Sequence, residues 1–217
     1  MQVDASTTIT ALVCIGGAIL YVLAIWKGLR SVAAAAKITA STSFVVLAFV
    51  NGADASAYGR AVLAALILSW LGDVLLLSRQ GTFFLSGIAA FFGAHIAFSA
   101  AFALKPLSLK VLAAAIVVTG IMTVLLLKWL WRHLYGPYKA AVPLYMAAVM
   151  AMVSLACAAG AVSLPHIVPI GAVAFAFSDI SVAQDRFVER SFFNKAWGLP
   201  MYYIAQVLFA VSVTGVE

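Results

Sequence analysis

The sequence has little charge and almost no cysteine. Only 9% of its 217 residues are charged, 65% are hydrophobic, and the mean hydropathy is +1.12. A soluble domain carries about 25% charged residues, so this composition excludes a soluble globular protein. The two cysteines, Cys14 and Cys157, lie inside apolar stretches and provide neither a disulfide framework nor a CxxC metal motif.

Long apolar runs take the place of the missing charge. They have the length of about 17–25 residues that spans the hydrocarbon core as a helix, and they are too long and too uniform for barrel strands. The pattern predicts an all-α fold: a polytopic membrane bundle of eight transmembrane helices, forming a single domain over residues 1–217. The predicted spans are residues 8–26, 33–50, 57–77, 83–103, 109–129, 141–159, 166–183 and 199–214.

Lysine and arginine are distributed unevenly between the two sets of connections. With the N-terminus outside, Arg60, Lys105 and Lys110 lie on the outer side, and the other ten basic residues lie on the cytoplasmic side. This asymmetry predicts an integral membrane protein with both termini outside, and we expect it in a bacterial inner membrane. It also explains the net charge of +6 without a nucleic-acid partner.

Five polar side chains lie at membrane depth in the predicted spans. An ionisable group there costs roughly 2.5–3.5 kcal/mol, so each one needs a reason. The ionisable groups are Asp73, His95 and Asp179, and the main uncharged ones are Tyr145 and Gln206. In the predicted topology His95 lies near mid-membrane and the other four lie in the cytoplasmic half. We therefore predict that five helices bring these groups together in one buried polar site.

Two interpretations of the paired aspartates follow. Asp73 and Asp179 either join helices through hydrogen bonds to residues such as Ser69 and Ser178, or perform acid–base chemistry. Serine or asparagine would provide the same bonds without the cost of a charge. Two carboxyl groups at one depth suit acid–base work, because one can stay protonated and donate while the other accepts.

The histidines do not predict a metal site. A catalytic zinc needs three protein ligands, but His95 is inside a span, His133 in a cytoplasmic loop and His166 on the outer side. A metal would have to be bound through carboxylates, and we predict neither a metal nor a cofactor.

Five short segments, in this order and spacing, resemble a known family. They are GDVLLL (72–77), FFGAHIAF (91–98), VPLYMAAVMAM (142–152), FAFSDISVA (175–183) and YYIAQVLFA (202–210). Together they are similar to the lysoplasmalogenase family of membrane proteins, also described as YhhN-like.

The resemblance implies an eight-helix enzyme acting on lysoplasmalogens. Such an enzyme hydrolyses the vinyl ether and releases a fatty aldehyde and glycerophospho-ethanolamine or glycerophospho-choline. The implied catalytic residues are Asp73 and Asp179, and the matching site positions are His95, Tyr145, Gln206 and Lys37. This chain departs from the family pattern at one of these positions, with Lys37-Ile38 where the pattern has Lys-Pro.

The chemistry of a vinyl ether agrees with the residues. Protonation of the β-carbon gives an oxocarbenium ion that water captures, so the reaction needs a protonated carboxyl group and an ionised one. The sn-1 vinyl ether lies just beneath the headgroup, at the predicted depth of the aspartates. We expect Lys37, Arg79 or Arg186 to hold the phosphate, and we include Ser178 among the substrate-binding residues. The predicted partners are a lysophospholipid and the bilayer; no pattern specifies an oligomeric state.

Two other classes of membrane protein need consideration. A proton-coupled transporter of small molecules or lipids also places acidic residues inside its spans. Transport requires a polar path across the whole membrane, whereas the outer half of the predicted spans has almost no polar groups. A metal-dependent lipid amidase of the seven-helix type requires a histidine triad, which the sequence lacks. The enzyme interpretation is therefore favoured over the transporter.

Overall fold

A computed structural model describes residues 5–78 and 80–215. This part of the chain forms eight α-helices and no strand. The helices are α1 (Ala5–Trp26), α2 (Arg30–Val50), α3 (Ala57–Leu75), α4 (Gly81–Ala103), α5 (Leu109–Trp131), α6 (Tyr138–Gly160), α7 (Ile167–Ala183) and α8 (Phe192–Ser212). A π-helical turn, Gln184–Val188, extends α7 at its C-terminal end.

The prediction of a polytopic helical membrane bundle is confirmed. Seven of the eight helices in the described residues are long and apolar enough to cross a membrane, with α7 counted together with its π-helical turn. The remaining helix, α8, has a sufficient length of 21 residues but carries several polar side chains. These include Asn194, Lys195, Tyr202, Tyr203 and Gln206.

Each predicted span overlaps one helix, and the largest difference lies at α8. This helix begins at Phe192, whereas the predicted span begins at residue 199. Ser191 explains the earlier start, because its hydroxyl accepts a hydrogen bond from the backbone N–H of Phe193 and caps the helix. Pro200 consequently lies inside α8 rather than at its first turn.

Six helices form a closed ring. Contacts run from α2 to α3, α4, α6, α7, α8 and back to α2. The other two helices lie outside this ring: α1 packs against α2 and α8, and α5 packs against α6. Leu130 is the one buried residue of α5, so this apolar helix has a large surface available to lipid. The polar side chains of α8 are accommodated because this helix contacts four neighbours.

Aromatic rings fill the interior of the ring, and small residues let the helices approach one another. Phe98, Phe175 and Phe209 are fully buried, and the ring of Phe98 contacts the rings of the other two. A Cβ at Gly72 would lie 2.6 Å from the Phe91 ring, so glycine is needed where α3 meets α4. Such close approach is typical of membrane helices, whose association depends on packing rather than on the hydrophobic effect.

Candidate functional site

Asp73 lies at the centre of a buried group of polar side chains from α2, α3 and α8. Its Oδ1 is 3.1 Å from Lys37 Nζ. Its Oδ2 accepts hydrogen bonds from the hydroxyls of Ser41, at 2.6 Å, and Tyr202, at 2.7 Å. The Tyr203 hydroxyl lies 3.4 Å from Ser41 Oγ and completes what we call the Asp73 group.

The helix geometry explains how these donors meet. Lys37 and Ser41 are four residues apart, and therefore occupy the same face of α2 on successive turns. A buried charge is costly unless it is paired and hydrogen-bonded. Lys37 supplies the opposite charge, and the two hydroxyls satisfy the second oxygen. These contacts are those of an ionised carboxylate.

Asp179 belongs to a second group, built by α4, α6 and α7. His95 Nε2 is 2.9 Å from the Tyr145 hydroxyl and 3.2 Å from Asp179 Oδ2. On the other side of the ring, His95 Nδ1 is 3.2 Å from Met152 Sδ. We call these residues the Asp179 group.

Asp179 differs from Asp73 in how its oxygens are satisfied. The Asp179 side chain is 17% exposed, and that of His95 is fully buried. Although Asp179 Oδ2 lies close to the imidazole, the angles do not meet hydrogen-bond geometry, and this oxygen has no hydrogen-bond partner in the described part of the chain. It therefore retains the capacity to bond to a substrate.

Aromatic rings separate the two groups. The Phe175 ring centroid is 4.6 Å from that of His95 and 5.4 Å from that of Tyr202. Phe91 contacts both Phe175 and Tyr202. Within residues 5–78 and 80–215, no hydrogen bond or ion pair joins the two aspartates. The structure thus forms two neighbouring groups, linked through one phenylalanine, rather than a single polar layer.

The remaining residues predicted from the sequence have different environments. Gln206 is fully buried on α8, one turn beyond Tyr202, and neither atom of its amide has a partner among the described side chains and backbone. Ser178 is buried on α7, but the α7 side chain that faces Gly198 of α8 is that of Ser181. Arg79 lies outside the described residues.

The structure also assigns partners that sequence reasoning missed. We considered Ser69 as a partner for an aspartate, but its hydroxyl is unpaired in the described structure, and Ser41 and Tyr202 bind Asp73 instead. The spacing of Ser41 from Lys37 is a signal that could have identified it. Tyr202 has a signal too, since a proline stands two residues before it, as Pro143 does before Tyr145.

Comparison with known proteins agrees with the earlier resemblance. The chain is 27% identical to lysoplasmalogenase TMEM86A of Bos taurus over 157 residues, and 27% identical to the Homo sapiens protein of that name over 162 residues. Each alignment covers 70% of this chain and 64% of the relative, less than two thirds of its length. Lysoplasmalogenase TMEM86B of Sus scrofa is 31% identical over 174 residues, which is 78% of this chain and 70% of that protein.

No solved structure matches the chain. The model of the YhhN family matches residues 32–213, a region that contains both aspartate groups. The match covers most of the sequence, and the chain therefore belongs to the YhhN family.

Proposed function

We propose that this protein is a membrane-embedded hydrolase that cleaves the vinyl ether bond of lysoplasmalogens. The products would be a fatty aldehyde and glycerophospho-ethanolamine or glycerophospho-choline. Membership of the YhhN family and the names of the relatives support this assignment. The observation that carries it is the Asp179 oxygen without a hydrogen bond, which lies beside buried His95 and its partner Tyr145.

The reaction adds water to the protonated vinyl ether and then breaks the resulting hemiacetal, with proton transfers at each stage. A proton adds to the β-carbon of the vinyl ether, and the electron pair of the double bond forms the new C–H bond. The resulting oxocarbenium ion takes up water at the carbon bonded to oxygen, and the water loses a proton. The hemiacetal then collapses: its hydroxyl loses a proton and forms the aldehyde C=O, the C–O bond to the glycerol breaks, and the glycerol oxygen leaves with a proton. No net proton is consumed.

We assign the role of proton donor to Asp179. Its Oδ2 is not committed to another hydrogen bond and lies 3.2 Å from His95 Nε2. The Tyr145 hydroxyl, 2.9 Å from the same nitrogen, fixes the orientation of the imidazole. Partial exposure of Asp179 leaves a route by which the substrate can reach it.

We assign the role of the ionised carboxylate to Asp73. Its contacts with Lys37, Ser41 and Tyr202 stabilise the charged form, which keeps an anion available to stabilise the oxocarbenium ion and to take up the proton that water loses. Phe175 lies between Tyr202, which binds Asp73, and His95, and we propose that the reacting end of the lipid lies against that ring. The water would then approach from the Asp73 side.

A panel of lysolipids tests the proposal. Purified protein is incubated with vinyl-ether, alkyl-ether and acyl lysophospholipids of matched chain length and headgroup, and released aldehyde, fatty acid and headgroup are measured. We expect aldehyde and headgroup from the vinyl ether alone, because a saturated ether offers no carbon that can be protonated in this way. Release of fatty acid from the acyl lipid without release of aldehyde would refute the assignment.

A further inference from the structure

Arg186 is a basic residue whose guanidinium is contacted by an aromatic ring on one face but has an unpaired N–H. It lies in the π-helical turn that follows α7. Its guanidinium carbon is 4.2 Å from the centroid of the Phe84 ring. Its Nε is buried and has no hydrogen-bond partner in the described residues. No ion pair to a carboxylate is formed by Arg186 in that part of the chain, whereas the neighbouring Asp185 pairs with Lys195 at 3.1 Å.

An aromatic cluster holds the guanidinium in place. The Phe84 ring contacts Tyr138 and Phe187, with centroids 5.9 and 6.2 Å away. Tyr138 and Phe187 are also in contact, at 5.2 Å. A cation over an aromatic face is favourable, and it accounts for one face of the guanidinium. The aromatic contact does not satisfy the N–H groups at the edge of the guanidinium plane. These N–H groups bind a phosphate as a pair of parallel donors.

The position of this cluster relative to Asp179 is significant. Arg186 follows Asp179 by seven residues, and Tyr145 follows Tyr138 by seven. On α6, seven residues are two helical turns, so Tyr138 and Tyr145 lie on one face, roughly 10 Å apart along the axis. Arg186 lies a similar distance beyond Asp179, but the π-helical turn rotates it away from the α7 face that carries Asp179. Phe84 is on α4, which also carries His95. The same three segments, α4, α6 and α7 with its π-helical turn, therefore build both the Asp179 group and the cluster around Arg186.

A general attraction of basic residues to the membrane surface does not explain these contacts. An arginine attracted only to the membrane surface extends its charged end into water or the headgroups. Arg190, four residues after Arg186, is exposed in this way. Arg186 instead turns its Nε inward and is only partly exposed. Lys37 is not available as an alternative anchor, because it is buried and paired with Asp73.

We propose that Arg186 binds the phosphate of a single-chain phospholipid whose glycerol then extends along α7 toward Asp179. This inference rests on the proposed function, since it assigns the headgroup anchor of the same substrate. The separation between the two residues suits a ligand in which one glycerol unit joins the phosphate to the sn-1 ether. The lipid enters the seam between α4, α6 and α7 from the side of the basic loops, with its chain directed into the bundle.

Binding of lipids that cannot be hydrolysed tests this inference separately from catalysis. The full-length protein is placed in phosphatidylcholine nanodiscs, where diacyl phosphates are in large excess. Binding is measured for a 1-alkyl lysophosphoethanolamine, whose saturated ether is inert, and for the matching 1-alkylglycerol, which lacks the phosphate. Inorganic phosphate is tested as a competitor. The variants are Arg186→Gln, Arg186→Lys and the control Arg190→Gln. Arg186→Lys retains the charge but lacks the paired N–H donors of the guanidinium.

We expect Arg186→Gln to weaken binding of the phosphate-bearing lipid roughly tenfold to a hundredfold, because a charged hydrogen bond is lost. Binding of the alkylglycerol should remain unchanged, Arg186→Lys should be intermediate, and Arg190→Gln should resemble the wild type. Equal loss for both lipids would show that Arg186 supports packing only, and would overturn the inference. Displacement of the lipid by inorganic phosphate at similar concentration would show a site for free phosphate and would also overturn it. Phosphate-dependent binding without hydrolysis of any lysolipid would refute the proposed function and leave this inference standing.

Discussion

Lys37 Nζ lies 3.1 Å from Asp73 Oδ1 inside the helix ring, and each side chain is only 6% exposed. Two charges at this depth stabilise each other where neither would be tolerated alone. Ser41 and Tyr202 donate hydrogen bonds to the other oxygen of Asp73, Oδ2. Asp73 therefore joins three helices, α2, α3 and α8. The relationship therefore has consequences for stability as well as for chemistry.

Removal of Lys37 should destabilise the protein strongly. Lys37→Met leaves an unpaired buried carboxylate, and breaking a buried pair in this way costs about 3–5 kcal/mol. We expect a marked fall in Tm in detergent, measured against Lys128→Met, which removes an exposed charge at the end of α5. The double variant Lys37→Met with Asp73→Asn should recover a large part of the loss. A double variant no more stable than Lys37→Met would contradict the ion-pair account.

The Tyr202 hydroxyl should matter for rate more than for stability. Tyr202→Phe removes the 2.7 Å bond to Asp73 and retains the ring that contacts Phe91 and Phe175. We expect kcat to fall roughly tenfold to a hundredfold, in line with a hydrogen bond to a charged group, with a small change in Tm. Tyr203→Phe is the matched control, since its hydroxyl reaches Ser41 rather than Asp73. Equal effects of the two substitutions on kcat would argue against a specific role for Tyr202.

The sequence predicted the class of fold because composition alone determines it. Long apolar runs leave few alternatives to a helix bundle in a membrane. It also predicted Asp73, His95 and Asp179 as site residues, since ionisable groups at membrane depth are rare. Which side chains meet depends on helix rotation and neighbour order, which hydropathy does not specify. For this reason we expected one shared layer, whereas the structure places Phe175 between two groups, and the partners Ser41 and Tyr202 went unnoticed.

The proposed chemistry predicts which bond breaks. If the ether is protonated at carbon and water adds to the oxocarbenium ion, the glycerol oxygen stays with the glycerol. Hydrolysis of lysoplasmalogen in ¹⁸O-labelled water should therefore give a glycerophospho-headgroup without label, as measured by mass spectrometry. Label in the sn-1 hydroxyl of that product would show attack at the glycerol carbon and would exclude the mechanism. The aldehyde is not informative, because it exchanges its oxygen with water.

The distribution of basic residues predicts the orientation in the membrane. Ten of the thirteen lysine and arginine residues fall on one predicted side, which should be cytoplasmic. A phosphatase reporter that is active only outside the cytoplasm should therefore be active when fused after α8 and inactive when inserted between α5 and α6. The reverse pattern would place both aspartates in the opposite leaflet and would require the lipid to enter from the other side.

The most direct test of the central claim is aldehyde release from lysoplasmalogen by the Asp179→Asn variant, compared with wild type and with Asp73→Asn. Asparagine keeps the shape of the side chain but cannot donate the proton. We predict a loss of about 10²–10⁴-fold in kcat for Asp179→Asn with little change in Tm, because removal of general acid–base help has this effect. If Asp179 only linked helices, asparagine would serve nearly as well, since such bonds average about 0.6 kcal/mol. A rate for Asp179→Asn within a few-fold of the wild type would contradict the account.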